Sequence, residues 1–307
     1  MQKDTILLHH LKKYSLVCLT ILTLACTKEN QFKTIPVEYP NTEKSDHVDL
    51  YWNEEVADPY RWLEDDYAAD TKAWVKAQNK VTFDYLDKLP FRDAIRERLE
   101  KVWNYEKVGA PFFYGDWTYF FKNNGLQNQS VLYRSKNGGP EEVFLDPNQL
   151  SEDGSTSLSS IAFTKDGSLL AYAVSVAGSD WRDIYVMDTD SKTVLKDQIK
   201  DAKFTGISWE GKKGFYYSTY AQPDGSKLSA LTNDHRLFFH QLGTTQADDV
   251  LVFGKDATPK RYVSGSVTED GQLLVISAAN STTGNELFIK DLSKAGFHQS
   301  YNTRHGQ

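Results

Sequence analysis

One recurrent design for acyl transfer by a serine hydroxyl sets the nucleophile on a sharp strand-to-helix turn, written Gly-x-Ser-x-Gly, beside a base and donors for the oxyanion. The nearest string in the 307 residues is Gly206-Ile-Ser208-Trp-Glu-Gly211, where the second glycine comes one position late. Ser208 is therefore expected to be an ordinary strand residue. The seven histidines are His9, His10, His47, His235, His240, His298 and His305. Asp234-His235 has the look of an orienting pair, but successive strand residues point to opposite faces. His235 and His240 also lack the i, i+4 helical spacing and the glutamate of a zinc site. Asn137-Gly138-Gly139-Pro140 reads as a turn, because its proline removes a donor that a phosphate loop would use. The sequence thus offers no catalytic residue, metal-ligand set or cofactor site, and the histidines are assigned structural or surface roles.

Cys26 is a different kind of reactive group. It and Cys18 are the two cysteines of the chain, so the 281 residues after Cys26 can form neither a disulfide framework nor a cysteine metal site. Lys12 and Lys13 precede an apolar run of 12 residues, Tyr14 to Ala25, and the polar Thr27-Lys28-Glu29-Asn30 follows. The run is shorter than the roughly 20 residues that span a bilayer but suits the core of a signal peptide. Leu22-Thr23-Leu24-Ala25-Cys26 resembles a lipoprotein lipobox, with Thr23 where an aliphatic residue is usual. Cleavage behind Ala25 and lipidation of Cys26 are expected, which makes the protein an exported bacterial lipoprotein held on the membrane. An ordinary small-x-small cleavage site at Thr23-Leu24-Ala25 is the alternative.

A hydrophobic content of 40%, with 13% aromatic residues, is enough for a packed core. The net charge of −7 is spread among interspersed lysines, arginines and acids, which excludes the basic face that nucleic acid requires. Trp74, Ala77, Val81 and Tyr85 recur at helical spacing between Asp66 and Leu89. Phe91, Ile95, Leu99 and Val102 do so again after Pro90. From about Val108 the period changes to short aromatic and β-branched runs broken by turns such as Asp166-Gly167, Glu210-Gly211, Asp224-Gly225 and Asp270-Gly271. The runs repeat, with Phe163, Trp209 and Val267 in equivalent places, 46 and then 58 residues apart, and with Phe113 opening an earlier copy. A strand, an Asp-Gly turn and two further strands, at steps near 40–50 residues, form a propeller-blade pattern.

Asp58-Pro-Tyr-Arg-Trp-Leu-Glu64, Asn124-Gly-Leu-Gln-Asn-Gln-Ser-Val-Leu-Tyr133, Phe144-Leu-Asp-Pro-Asn148, Gly178-Ser-Asp-Trp181 and Leu242-Gly-Thr244 occur in that order. Together they resemble the N-terminal part of a prolyl oligopeptidase, over about residues 36–295. The resemblance implies a short α-helical N-terminal arm, a seven-bladed β-propeller, and then an α/β-hydrolase domain that carries Ser, Asp and His and cleaves short proline-containing peptides after proline. On this reading the protein is mainly β, an incomplete propeller of about four of the seven blades. Residues 1–25 are a signal peptide and 26–57 a lipid-anchored tether and extended arm. Residues 58–107 are the helical arm, 108–297 the partial propeller and 298–307 an unrelated tail. The 307 residues then stop before the hydrolase domain and are expected to be inactive alone. A non-catalytic, propeller-like binding lipoprotein is the alternative.

Overall fold

The computed structural model describes residues 34–222, 226–228, 234–254, 260 and 262–294, with the backbone of 300–301. The segment 1–25 read as a signal peptide, Cys26, the turn expected at Asp224-Gly225, His298 and His305 lie outside the described residues. Two compact units divide the chain, Glu43–Val75 with Phe91–Gln307, and Met1–Thr42 with Lys76–Pro90.

In the larger unit, a hairpin of β1 (Val48–Tyr51) and β2 (Glu54–Ala57) falls within the stretch read as an extended arm. Trp52 and Asn53, both left-handed (φ 49° and 70°), form its two-residue turn, the backbone that a tight hairpin demands. Asp58-Pro-Tyr-Arg-Trp-Leu-Glu64 follows as a 3-10 turn whose Arg61 gathers Asp49, Asp58 and Glu64. Trp62 Nε1 donates to the Glu43 carbonyl at 3.0 Å, and Thr71 Oγ1 donates to the Trp62 carbonyl at 3.1 Å. Helices α1 (Ala69–Leu86) and α2 (Arg92–Trp103) come next, on either side of Pro90. The smaller unit holds, among the described residues, the Lys76–Leu86 part of α1.

Four antiparallel sheets follow, the last three meanders of consecutive strands and the first with its two opening strands both paired to its third. The first has β3 (Lys107–Val108), β4 (Phe112–Tyr114), β5 (Trp117–Asn123), β6 (Val131–Lys136) and β7 (Glu141–Leu145). The second has β8 (Thr156–Phe163), β9 (Leu169–Val176), β10 (Trp181–Asp188) and β11 (Thr193–Lys203). The third has β12 (Ser208–Glu210), β13 (Gly214–Thr219), β14 (Arg236–Gln241) and β15 (Val250–Phe253). The fourth has β16 (Tyr262–Val267), β17 (Leu273–Ala279), β18 (Glu286–Asp291) and β19 (Ser300–Tyr301). Each repeat gains a fourth strand beyond the three read from sequence. In β11, Thr-Val-Leu-Lys-Asp-Gln-Ile-Lys-Asp-Ala-Lys, charged edge residues mask the alternation. The strand β19 pairs with β18 inside the segment read as an unrelated tail, and two residues are too few to leave a pattern.

Side chains alternate across each strand, so a sheet flanked on both sides sends neighbouring residues to different cores. Leu170, Tyr172 and Val174 of β9 pack with Tyr119, Leu132 and Phe144 of the first sheet. Ala171 and Ala173, between them, pack with Trp209, Phe215 and Tyr217 of the third. Tyr216 in turn joins Val263, Leu274 and Ile276 of the fourth. The repeat equivalence needs one correction. Phe112, paired with the buried Tyr119, occupies the place that Phe163, Trp209 and Val267 hold beside Leu170, Phe215 and Leu274. Phe113 is 70% exposed on the other face of β4.

Leu170 is fully buried between the first two sheets. Leu170→Ala should lower unfolding free energy by about 2–5 kcal/mol, the usual cost of a Leu-sized cavity. Urea denaturation followed by tryptophan fluorescence measures this, and an unchanged midpoint would contradict the seam.

Candidate functional site

The groups that could do chemistry are spent on holding sheets together. Ser208 lies in β12, and its Oγ accepts the Val267 N–H at 2.8 Å, tying the third sheet to the fourth. Asn137 and Gly138 (φ 49° and 72°) turn β6 into β7 and hold no ligand cradle. His47 is exposed and meets Asp49 at 3.1 Å. Among the described residues no group of three His, Cys, Asp or Glu side chains could hold a metal ion.

His235 is buried before β14, its ring stacked on Tyr220 with 4.3 Å between centroids. Its Nδ1 accepts the Val263 N–H at 2.8 Å, so the proton sits on Nε2, which donates to the Lys203 carbonyl at 2.9 Å. One neutral imidazole thus pins the second, third and fourth sheets. Burial pushes its pKa down to about 4, against the smaller upward pull of the Lys203 carbonyl. His240 has the opposite surroundings. Its Nδ1 is 2.7 Å from Asp249 and its Nε2 3.2 Å from Asp197. Two carboxylates cannot both accept from a neutral ring, so the geometry requires an imidazolium. Burial works against that charge, and the Asp249 and Asp197 carboxylates outweigh it, raising the pKa. Tyr217 Oη also donates to Asp249 at 2.7 Å, and the Gly243 N–H to Asp197 at 2.5 Å. Neither aspartate stands out in the sequence, since Asp197 lies in a run of charges like any surface acid.

The resemblance residues are seam builders too. Gln129 Nε2 donates to the Thr156 carbonyl at 2.8 Å, and its Oε1 accepts the Leu158 N–H at 2.9 Å. Asn148 Oδ1 accepts the Gln129 N–H at 2.9 Å. These contacts bind the Asn124–Tyr133 and Phe144–Asn148 motifs to β8.

Two ends of the sheets carry what remains. At one end, the turns after β8, β12 and β16 border a cavity of about 1090 Å³, lined among others by Phe163, Trp209, Val267, Lys165 and Lys212. The rim ammoniums there are occupied, Lys212 by Asp166 at 2.5 Å and Lys165 by the Glu269 carbonyl at 3.1 Å. At the other end, where β10 and β14 begin and β11 stops, Trp181, Lys203, Phe204, Tyr220 and Tyr262 come together.

Residues 40–303 match the family model described as the prolyl oligopeptidase N-terminal beta-propeller domain. The chain belongs to the prolyl oligopeptidase family. Its match to a prolyl endopeptidase of Elizabethkingia miricola is 50% identical over 281 residues, 91% of this chain and 40% of that protein. Prolyl oligopeptidase A of Amanita bisporigera is 36% identical, over 84% of this chain and 38% of its own. A solved prolyl oligopeptidase B of Galerina marginata, bound to a 35mer substrate, superposes with a TM-score of 0.73 at 33% identity, over 88% of this chain and 41% of its own. The chain thus spans about 40% of the length of its prolyl oligopeptidase relatives, in the propeller portion. The four sheets are blades of that propeller.

The two buried histidines give stability a pH window. Unfolded, His235 takes a proton near pH 6.5, whereas folded it refuses one until about 4, so its contribution is whole above 6.5 and is lost on acidification. The loss should reach about 3 kcal/mol at pH 4. His240 has the reverse sign, its contribution whole below 6.5 and lost as pH rises through its raised pKa. Melting temperature against pH should therefore pass through a maximum. His235→Gln should flatten the acid limb and Asp197→Asn the alkaline limb, and a wild-type profile flat from pH 4 to 9 would contradict both assignments.

Proposed function

We propose that this chain is the propeller portion of a serine peptidase of post-proline specificity, acting on short peptides when joined to an α/β-hydrolase portion that supplies nucleophile, base and oxyanion donors. The observation that carries this is α2. Its stripe of Ile95, Leu99 and Val102 and the adjoining Trp103 face solvent, Leu99 at 56% and Trp103 at 61% exposure. An apolar helix face of that extent normally lies against protein. The share of the relatives' length that this chain does not span is the natural cover. The propeller then shields the peptide site, and its aromatic end at Trp181 and Phe204 supplies apolar surface for a peptide chain.

The 307 residues alone should not turn over a chromogenic Gly-Pro substrate, and a fluorophosphonate probe should label no serine. Losing a catalytic triad costs on the order of a million-fold in turnover in a well-studied serine protease. Fusion to the hydrolase portion of the Elizabethkingia miricola relative should restore turnover. Hydrolysis by the unfused chain, with labelling at Ser208 above all, would sink this reading.

We also propose export and lipid anchoring through Cys26, supported by the apolar run that ends in Leu24-Ala25-Cys26. Radiolabelled palmitate should enter the protein in a bacterial host, and Cys26→Ser should abolish the label. Equal labelling of the variant would refute the anchor.

A further inference from the structure

Lys203 ends β11 with its side chain only 7% exposed. Its Nζ makes neither a hydrogen bond nor an ion pair among the described residues and keeps contact with solvent. What surrounds it is aromatic, with the Trp181 ring centroid 5.0 Å away and that of Phe204 5.2 Å away. Ring faces offset part of the cost of drying an ammonium, but a buried cation is ordinarily matched by an anion. Asp201, two residues away, is already engaged, since it pairs with Lys227, which lies over the same Trp181 ring at 5.8 Å. The Trp181 N–H is spent on the Lys227 carbonyl at 2.9 Å.

The backbone around Lys203 carries a second, independent sign. Asp201 and Phe204 both adopt left-handed conformations, at φ 57° and 51°. For a phenylalanine this region is a true outlier, and such strain concentrates at ligand clamps. Phe204, at 41% exposure, turns much of its ring to solvent beside the ammonium instead of into the core. The Lys203 carbonyl is held in place by His235. The result is one nearly buried cation between two aromatic walls, on a fixed backbone.

We propose that Lys203 is a carboxylate-binding subsite for peptides, walled by Trp181 and Phe204. This rests on the peptide-processing reading above and adds a preference to it, namely peptides with a carboxylate over their amide counterparts. The carboxylate has two sources, a peptide C-terminus or an acidic side chain, and a direct binding measurement on the 307-residue chain separates them. Four peptides are titrated while the Trp181 indole N–H is followed by NMR: acetyl-Gly-Pro-Gly with a free or an amidated C-terminus, and acetyl-Gly-Pro-Glu-amide against its Gln counterpart. At least one carboxylate peptide should bind about ten-fold or more tightly than its neutral partner, as a charge-assisted contact gives. The preference should shrink as salt is raised. Lys203→Met should erase it, and Lys203→Arg, which keeps the charge, should retain it with the same thermal melt as wild type. Equal binding within both pairs, no binding by any of the four, or a preference that survives in Lys203→Met would overturn the subsite. The peptidase reading stands or falls separately, on turnover by the fused protein.

Discussion

Each of the two middle sheets has two apolar faces, because its strands alternate and both sets of side chains must leave water. Leu170 and Ala171 are neighbours in sequence and belong to different cores. A slip of one residue in β9 would exchange those sets, placing Tyr172 against the third sheet and Ala171 against the first. The register of each middle blade is therefore fixed by the blades on either side of it. Gln129, Trp209, Ser208 and His235 reinforce this by crossing from one sheet to the next with hydrogen bonds that only one alignment satisfies.

That demand also explains why the chemically versatile side chains do no chemistry here. A serine whose hydroxyl receives a backbone N–H, and a histidine whose two nitrogens are both engaged with backbone, have no free partner for a reacting group. His240 goes further, since its two N–H groups are donated one each to Asp249 and Asp197 in the seam between the second and third blades. The polar groups that remain available lie at the sheet ends, where strands enter and leave and backbone geometry is less constrained.

Much of this was legible in the residues. The change of period after Val108, the Asp-Gly turns and the spacing of Phe163, Trp209 and Val267 marked the blades, because inner strands and tight turns have strict chemical requirements. The outer strands β7, β11 and β15 were not legible, since an edge strand tolerates charge and loses its alternation. Phe112 and Phe113 are indistinguishable in the sequence, because a Phe-Phe pair in a three-residue strand gives no clue to which ring faces the core. Lys203 and the Asp197–His240–Asp249 cluster left no mark, because ion pairing across a seam depends on three-dimensional proximity between residues as far apart as 43 positions.

The seam contacts named above share one more property, the distance along the chain that each must close. Gln129 reaches Thr156 across 27 positions, Trp209 reaches Ala162 across 47, and Ser208 meets Val267 across 59. Each blade is therefore completed by the blade that follows it, with no need to wait for a distant terminus. Loop closure over such spans costs little more than over a hairpin, because the entropy grows only with the logarithm of length. Assembly can then proceed in the order in which the chain emerges, each new sheet covering the apolar face that the previous one had left wet.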